Sequence, residues 1–253
     1  MLGHLRERIL HVKLYGPIDQ AITVKLHQSF KNKQLYDIQL IAVSINSHGG
    51  SLIQAKNICT ALKYFSQKTS APVYTFAEDM VLNSANLILS SGNKVFAGKY
   101  SLLGDFGYSY QGFGYKGLLE NYNVKAEFVH AGEKKVKLNP FQDLKQEDAQ
   151  WMKNYLLERE YDLKSSVIQT RAQKFHDLKL SNEQVNKELL DKGMIEADQA
   201  KQLGLIDGIK TFEELAHEQY HGVKILDAIP TGSFTNNLLK SNTLISNSLS
   251  FIQ

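Results

Sequence analysis

The chain has 253 residues and a formal net charge of +3, with 43% hydrophobic and 22% charged residues. That length is enough for one large α/β domain, or one domain with an arm, around a substantial core. So small a charge gives no indication of nucleic-acid binding. The sequence contains no apolar run of about 18 residues, so we predict no membrane span. A single cysteine, Cys59, leaves no internal disulfide to form and favours a reducing compartment.

The N-terminal residues bear on where the protein resides. Residues 1–8 are too short and too charged for a signal peptide, because a strand-like apolar run begins at Ile9. Arg6 and Arg8 leave two interpretations open, a solvated turn and the remnant of a mitochondrial presequence. We therefore expect a soluble protein that is either mitochondrial or cytoplasmic.

Apolar runs rich in β-branched residues alternate with helical periodicities along the chain. The predicted strands are residues 9–15, 38–45, 73–77, 94–97 and 124–130. The predicted helices are residues 17–32, 51–66, 84–91, 116–122, 146–174, 181–191 (capped by Ser181, with Gln184 three residues on) and 198–203. This alternation predicts an α/β fold with right-handed crossovers and a largely parallel sheet.

A change in composition near the C-terminus predicts the domain boundary. From Ala228 onward the sequence is rich in Ser, Asn and Thr. We therefore predict a domain at residues 1–227 and a C-terminal tail or arm at residues 228–253.

The sharpest local motif follows the second predicted strand, where the chain reads Ile45-Asn46-Ser47-His48-Gly49-Gly50-Ser51. Glycines between a buried strand and a helix let the backbone turn tightly and leave amide N–H groups free. Such a loop can hold an anion or an oxyanion, or it can be a tight turn only.

This loop resembles the I-N-S-P-G-G segment of signal peptide peptidase A, a serine protease of peptidase family S49, with His48 in place of the proline. Four further segments resemble that family in order. The stretch from Ala71 to Asn86 resembles the strand and turn that lead into the family's A-S-G-G-Y nucleophile motif. The segment Gly104-Asp105-Phe106-Gly107 resembles its G-S-I-G-V motif, and Ala131-Gly132-Glu133-Lys134-Lys135 resembles its S-G-x-x-K motif. Residues 191–207 resemble its closing G-R…G-L-V-D segment. The resemblance covers residues from about Ile9 to Leu215.

The resemblance implies a fold and a mechanism. The fold is a ClpP/crotonase-like spiral of strand–helix units. The mechanism needs a serine nucleophile, a lysine base and backbone donors for the oxyanion, with no metal or cofactor. Lys135 falls at the general-base position, and Gly49 and Gly50 belong to the oxyanion loop. The alternative for Lys135 is a solvated member of the cluster 134–137.

The position of the nucleophile departs from the family pattern. Ungapped counting forward from Pro72 and backward from Lys94 places the family serine on Asn83, whose amide is not a usable nucleophile. The glycines that follow the family serine become Ser84 and Ala85. The serine of the next motif becomes Asp105, a carboxylate where a small neutral group is expected.

Three alternatives stay open. Ser84 could serve as the nucleophile, although one residue at a helix start rotates a side chain by about 100° and shifts it by about 1.5 Å. A ClpP-like triad would need a later histidine, and none lies between His48 and His130. The least favoured alternative is a crotonase-like site, in which the Gly49 and Gly50 amides would polarise a thioester carbonyl. His48 itself either lines the pocket or lies in solvent at the loop tip.

The sequence thus leads to a hypothesis of a catalytically inactive S49 homologue that acts as a structural or scaffolding subunit. The alternative is an active soluble endopeptidase with a Ser84/Lys135 dyad. Because the superfamily builds rings, we expect a homo- or hetero-oligomer, with protein partners or a peptide substrate. The Gly/Tyr-rich residues 108–115 would form either an interface or a loop beside the substrate.

Overall fold

The computed structural model describes residues 8–32, 37–132 and 135–228. The chain forms two compact units. The first comprises Met1–Phe106 and Ser165–Gln253, and the second comprises Gly107–Lys164. Of the predicted tail, only Ala228 lies within the described residues, and Arg6 of the predicted N-terminal segment lies outside them.

The first unit is built around a mostly parallel sheet. Its strands are β1 (Arg8–Tyr15), β2 (Ile38–Ser47), β3 (Val73–Leu82), β4 (Lys94–Ala97), β5 (Leu102–Gly104), β6 (Met194–Glu196), β7 (Gly208–Ile209) and β8 (Lys224–Ala228). Strands β6, β5, β3, β2, β1 and β8 lie side by side in that order, while β4 pairs with β3 and β7. Among the described strand pairs only β5 and β6 run antiparallel, so the predicted α/β class is confirmed.

Helices connect the strands, as the periodicity predicts. They are α1 (Gln20–Asn32), α2 (Leu52–Thr69), α3 (Ala85–Ser90), α4 (Lys116–Asn121), α5 (Gln146–Asp177), α6 (Asn182–Gln184, continuing as a π-helix over Val185–Leu190), α7 (Ala197–Gln202) and α8 (Phe212–Gln219). In α2 the residues at three- and four-residue spacing, Ala55, Ile58, Leu62 and Phe65, are buried. The capping box predicted at Ser181 forms with Gln184.

The predicted strand at residues 124–130 is wrong. These residues have no regular secondary structure and every one of them is exposed. Strands β5 to β8 escaped prediction, because runs of two to five residues carry too little periodicity to recognise, and helix α8, with eight residues, was also not predicted.

A buried ion pair ties α5 to the end of the sheet. Arg171 is 6% exposed; its Nη atoms donate to the carboxylate of Asp207, and its Nε donates to the Gly204 carbonyl. Burial alone would raise the pKa of Asp207. Hydrogen bonds from Arg171 and from the Val95 amide outweigh burial and hold that pKa below its ordinary value.

A buried histidine joins three neighbouring strands. His11 on β1 is 2% exposed; its Nε2 lies 2.9 Å from Ser44 Oγ on β2, and its Nδ1 lies 3.4 Å from Asp227 Oδ1 on β8. Its ring stacks on Phe212. Burial, reinforced by the charge of Lys13, lowers the pKa of His11 to about 4 despite the nearby carboxylates. The arrangement therefore suits a neutral imidazole with its proton on Nδ1.

We predict that His11 makes the stability acid-sensitive. Its pKa in the folded state lies below that of an unfolded histidine, so only the unfolded chain takes up this proton between pH 6.5 and about 4. The unfolding free energy should therefore fall by up to about 3 kcal/mol as the pH drops through that window. Urea denaturation at a series of pH values measures the slope.

The exposed His48 provides the matched control. His11→Gln should flatten the pH dependence and His48→Gln should leave it unchanged. Equal slopes in the two variants would contradict the assignment.

Candidate active site

Two glycines after β2 lie at points where no side chain fits. Gly49 has φ +99°, and a Cβ on it would lie 2.7 Å from Asn83 Cβ and 2.9 Å from the Leu82 carbonyl oxygen. A Cβ on Gly50 would lie 2.4 Å from the Ile18 carbonyl oxygen. The Gly49 amide donates to Ser47 Oγ at 3.0 Å, which holds the loop in place. Both glycines are therefore required by close backbone approach.

Asn83 occupies the turn between β3 and α3 in a left-handed conformation. Its φ is +51°, and its amide donates to the Gly104 carbonyl at 3.0 Å. Asparagine adopts this region at less cost than serine, because its short polar side chain can bond locally. The residue as a whole is partly exposed, while its Oδ1 is buried. Position 83 thus combines partial exposure with a backbone that favours asparagine.

Ser84 differs from its neighbour in both respects. It is 0% exposed and has ordinary right-handed dihedral angles, φ −61° and ψ −19°. Its Oγ is buried and has no hydrogen-bond partner among the described residues. The one hydroxyl adjacent to Asn83 therefore faces the interior of the protein.

Asn86 is a site residue that the sequence did not single out. It is 0% exposed, and its Nδ2 donates to the carbonyls of Gly104 at 2.8 Å and Asn83 at 3.2 Å. Its Oδ1 accepts from the Gly104 amide at 3.3 Å. The side chain therefore clamps the Asn83 turn to the end of β5. A polar residue within an apolar helical run, N-L-I-L-S, was the only available signal.

The other predicted pocket residues lie around the same strand ends. Asp105 is exposed, has φ +53°, and donates its amide to the Gly193 carbonyl at 2.9 Å. His48 is exposed beside Gly49. The ends of β2, β3 and β5 thus come together through Gly49, Asn83 and the Asn86 clamp.

Lys135, at the predicted general-base position, belongs to the second unit. It is exposed, and its amide donates to the Gly132 carbonyl at 3.2 Å. Residues 133 and 134, which precede it in the motif, lie outside the described residues.

Two further properties bear on the chemistry. Within residues 8–32, 37–132 and 135–228, His, Cys, Asp and Glu side chains form no cluster of three or more suited to a metal ion. None of the helices in those same ranges combines the length and the apolar character that crossing a bilayer requires.

The model of peptidase family S49 matches residues 66–225, which is more than half of the chain. The chain therefore belongs to peptidase family S49. The match includes Asn83, Asp105 and Lys135 and begins after the Gly49–Gly50 loop. For that loop the family assignment rests on the resemblance of its sequence.

Similar proteins carry different names. A protein of Enterococcus faecium named "Putative signal peptide peptidase SppA" is 25% identical over 210 residues, 80% of this chain and 58% of the relative. A Methanocaldococcus jannaschii protein named as a "Putative protease" is 22% identical over 69% of this chain and 53% of its own length. A Brucella abortus protein named "Na(+)/H(+) antiporter NhaA" is 29% identical over 71% of this chain but 23% of its own length. The chain thus spans between about a quarter and three fifths of these relatives.

We predict that Gly49→Ala destabilises the first unit well beyond the effect of backbone strain. Gly16 provides the matched control, since its φ is +87° and a Cβ on it would meet nothing within 4 Å. Gly16→Ala should cost about 1–2 kcal/mol through left-handed strain alone. Gly49→Ala adds the clash with Asn83 and Leu82 and should cost about 2–5 kcal/mol. Urea denaturation measures the unfolding free energy of both variants. Equal losses would show that Gly49 and Asn83 are far enough apart to admit a Cβ.

Proposed function

We propose that this protein is a catalytically inactive member of peptidase family S49 that serves as a structural or scaffolding subunit of a larger assembly. The observation that carries the proposal is the contrast at the turn after β3. The position assigned to the nucleophile holds Asn83, a partly exposed residue with an amide in place of a hydroxyl, and the adjacent hydroxyl of Ser84 is buried.

The chemistry of the turn supports this proposal. The nitrogen lone pair of an amide is delocalised, and a serine protease nucleophile needs a hydroxyl within hydrogen-bond reach of its base. The positive φ at position 83 favours asparagine over serine, so the backbone here suits the residue that is present. The exposed carboxylate of Asp105, where the family has a serine, would oppose a developing oxyanion nearby.

An active endopeptidase with a Ser84/Lys135 dyad is the second candidate. The unpaired buried hydroxyl of Ser84 favours it, because such orphan groups in proteins call for an explanation such as a catalytic role. It would require the start of α3 to turn by roughly 100° so that the hydroxyl leaves the interior. Relatives named as proteases make a peptide the substrate in that case.

The proposal also includes partners and location. We propose association with further copies or with other proteins, without nucleic acid, in a reducing compartment that is mitochondrial or cytoplasmic. The division into a domain at residues 1–227 and a tail at residues 228–253 is part of the same proposal.

A fluorophosphonate probe tests the lack of a nucleophile in the purified protein. We expect no labelling of the unmodified chain, because Asn83 cannot react and the hydroxyl of Ser84 is buried. Labelling is read by intact mass and located by peptide mapping, with a known serine hydrolase as the positive control. Adduct formation at Ser84 that Lys135→Ala abolishes would overturn the proposal and establish the dyad.

Restoring a hydroxyl at position 83 tests the register of the site. Asn83→Ser should gain probe labelling at residue 83, because it restores a hydroxyl at the position where the family pattern has a base-activated serine, and the buried Ser84 should stay unlabelled. Asn83→Ala is the matched control, because it removes the amide without supplying a nucleophile. Labelling at Ser84 in both variants would show that the family serine does not correspond to position 83.

A further inference from the structure

Residues 124–130 of the second unit, here called the exposed segment, have the composition of a β-strand but do not pair with any described strand. Val124, Ala126 and Phe128 alternate with Lys125 and Glu127, the period of a strand with one apolar face. All seven residues are exposed, including Val124 at 51% and Phe128 at 39%. The sequence therefore favours a strand at a place where the described residues of the chain supply no neighbouring strand.

The backbone of the exposed segment is open beyond its first amide. The Val124 amide donates to the Leu119 carbonyl. Among the described residues, no hydrogen bond involves the backbone amides or carbonyls from Lys125 to Ala131. A row of open N–H and C=O groups on β-prone residues is a template for pairing with another strand.

The apolar face of the segment continues into an aromatic surface. Phe128 stacks on Phe141 with ring centroids 6.3 Å apart, and Tyr115 lies 5.9 Å from Phe141. Phe113, which is 80% exposed, lies 6.4 Å from Tyr115. Contiguous exposed aromatic side chains of this kind mark sites of protein association.

We infer that the partner of the exposed segment is the same segment of a second copy, paired as antiparallel strands about a two-fold axis. With Ala126 opposite its own mate, Val124 faces Phe128 and Lys125 faces Glu127, each twice. Apolar pairs then share one face of the two-stranded ribbon, and two opposite-charge pairs share the other.

The charges select this register from its neighbours. Centring the ribbon on Glu127 would place two carboxylates opposite each other, and a parallel in-register pair would align lysine with lysine and glutamate with glutamate. Directly opposed like charges destabilise a strand pair and opposite charges stabilise it. Lys125 and Glu127 form no ion pair with other described residues, so both are available across the axis. A self-complementary patch is what a two-fold interface requires.

This inference rests on the assembly part of the proposed function and not on the lack of catalysis. Probe labelling reports on the nucleophile, whereas the experiments below report on pairing. If one of these experiments contradicts its proposal, the other proposal can still be tested.

Disulfide trapping in the full-length protein tests the register. Opposed residues in antiparallel strands have Cα atoms about 4.5–5.5 Å apart, within the range that a disulfide spans. Ala126→Cys should therefore form a covalent dimer under mild oxidation. Ala131→Cys is the matched control, since Ala131 is also exposed but would lie roughly 33 Å from its own mate. Both proteins retain Cys59, whose pKa burial raises to about 11 and whose reactivity is correspondingly low.

Charge exchange tests the pairs, with the dimer constant measured by analytical ultracentrifugation. Lys125→Glu and Glu127→Lys should each weaken the dimer on the order of tenfold, because two attractive pairs become repulsive. The double variant Lys125→Glu/Glu127→Lys should recover the original dimer constant, and the two single variants should combine into a mixed dimer when they are combined.

Each contrary outcome overturns the inference. A chain that stays monomeric shows that the segment pairs with another protein or with nothing. Equal cross-linking of Ala126→Cys and Ala131→Cys shows non-specific contact. A dimer that is insensitive to the charge variants places the interface elsewhere on the chain.

Discussion

The close approach of Gly49 to the turn at Asn83 is the constraint on which the site depends. Two parallel strands, β2 and β3, end side by side, and their connections must pass each other without room for a Cβ. The Ser47 hydroxyl holds one connection, and Asn86 holds the other against β5. Because three strand ends are joined in this way, a small change at any one of them displaces the other two.

That constraint also bears on which residues fit at position 83. The turn requires a left-handed residue there, and asparagine is among the few side chains that adopt this conformation at low cost. Asparagine at this position is therefore compatible with the packing of Gly49 and with the hydrogen bonds of Asn86.

The two units differ in how much aromatic side-chain surface and open backbone they present. In the first, buried polar groups such as His11 and Arg171 have defined partners on neighbouring elements. In the second, aromatic side chains such as Phe113 and Tyr122 are 80% and 74% exposed, and residues 125–130 make no backbone hydrogen bond to other described residues. Exposed apolar surface of this kind is stabilised by association more than by the chain's own core. The second unit is therefore the part of the chain to which the proposal assigns association.

The sequence by itself determined the α/β class, the position of the central strands and the S49 family, because these depend on periodicity and on motif order. Strand β4 coincides with its predicted range, 94–97, and the capping box at Ser181 follows from local chemistry alone. Only the tertiary structure decided that Asn83 is partly exposed while Ser84 is buried, since adjacent residues at a helix start differ by about 100° in direction. It also decided that residues 124–130 form no strand within one chain, because strand formation requires a neighbour that sequence periodicity cannot supply.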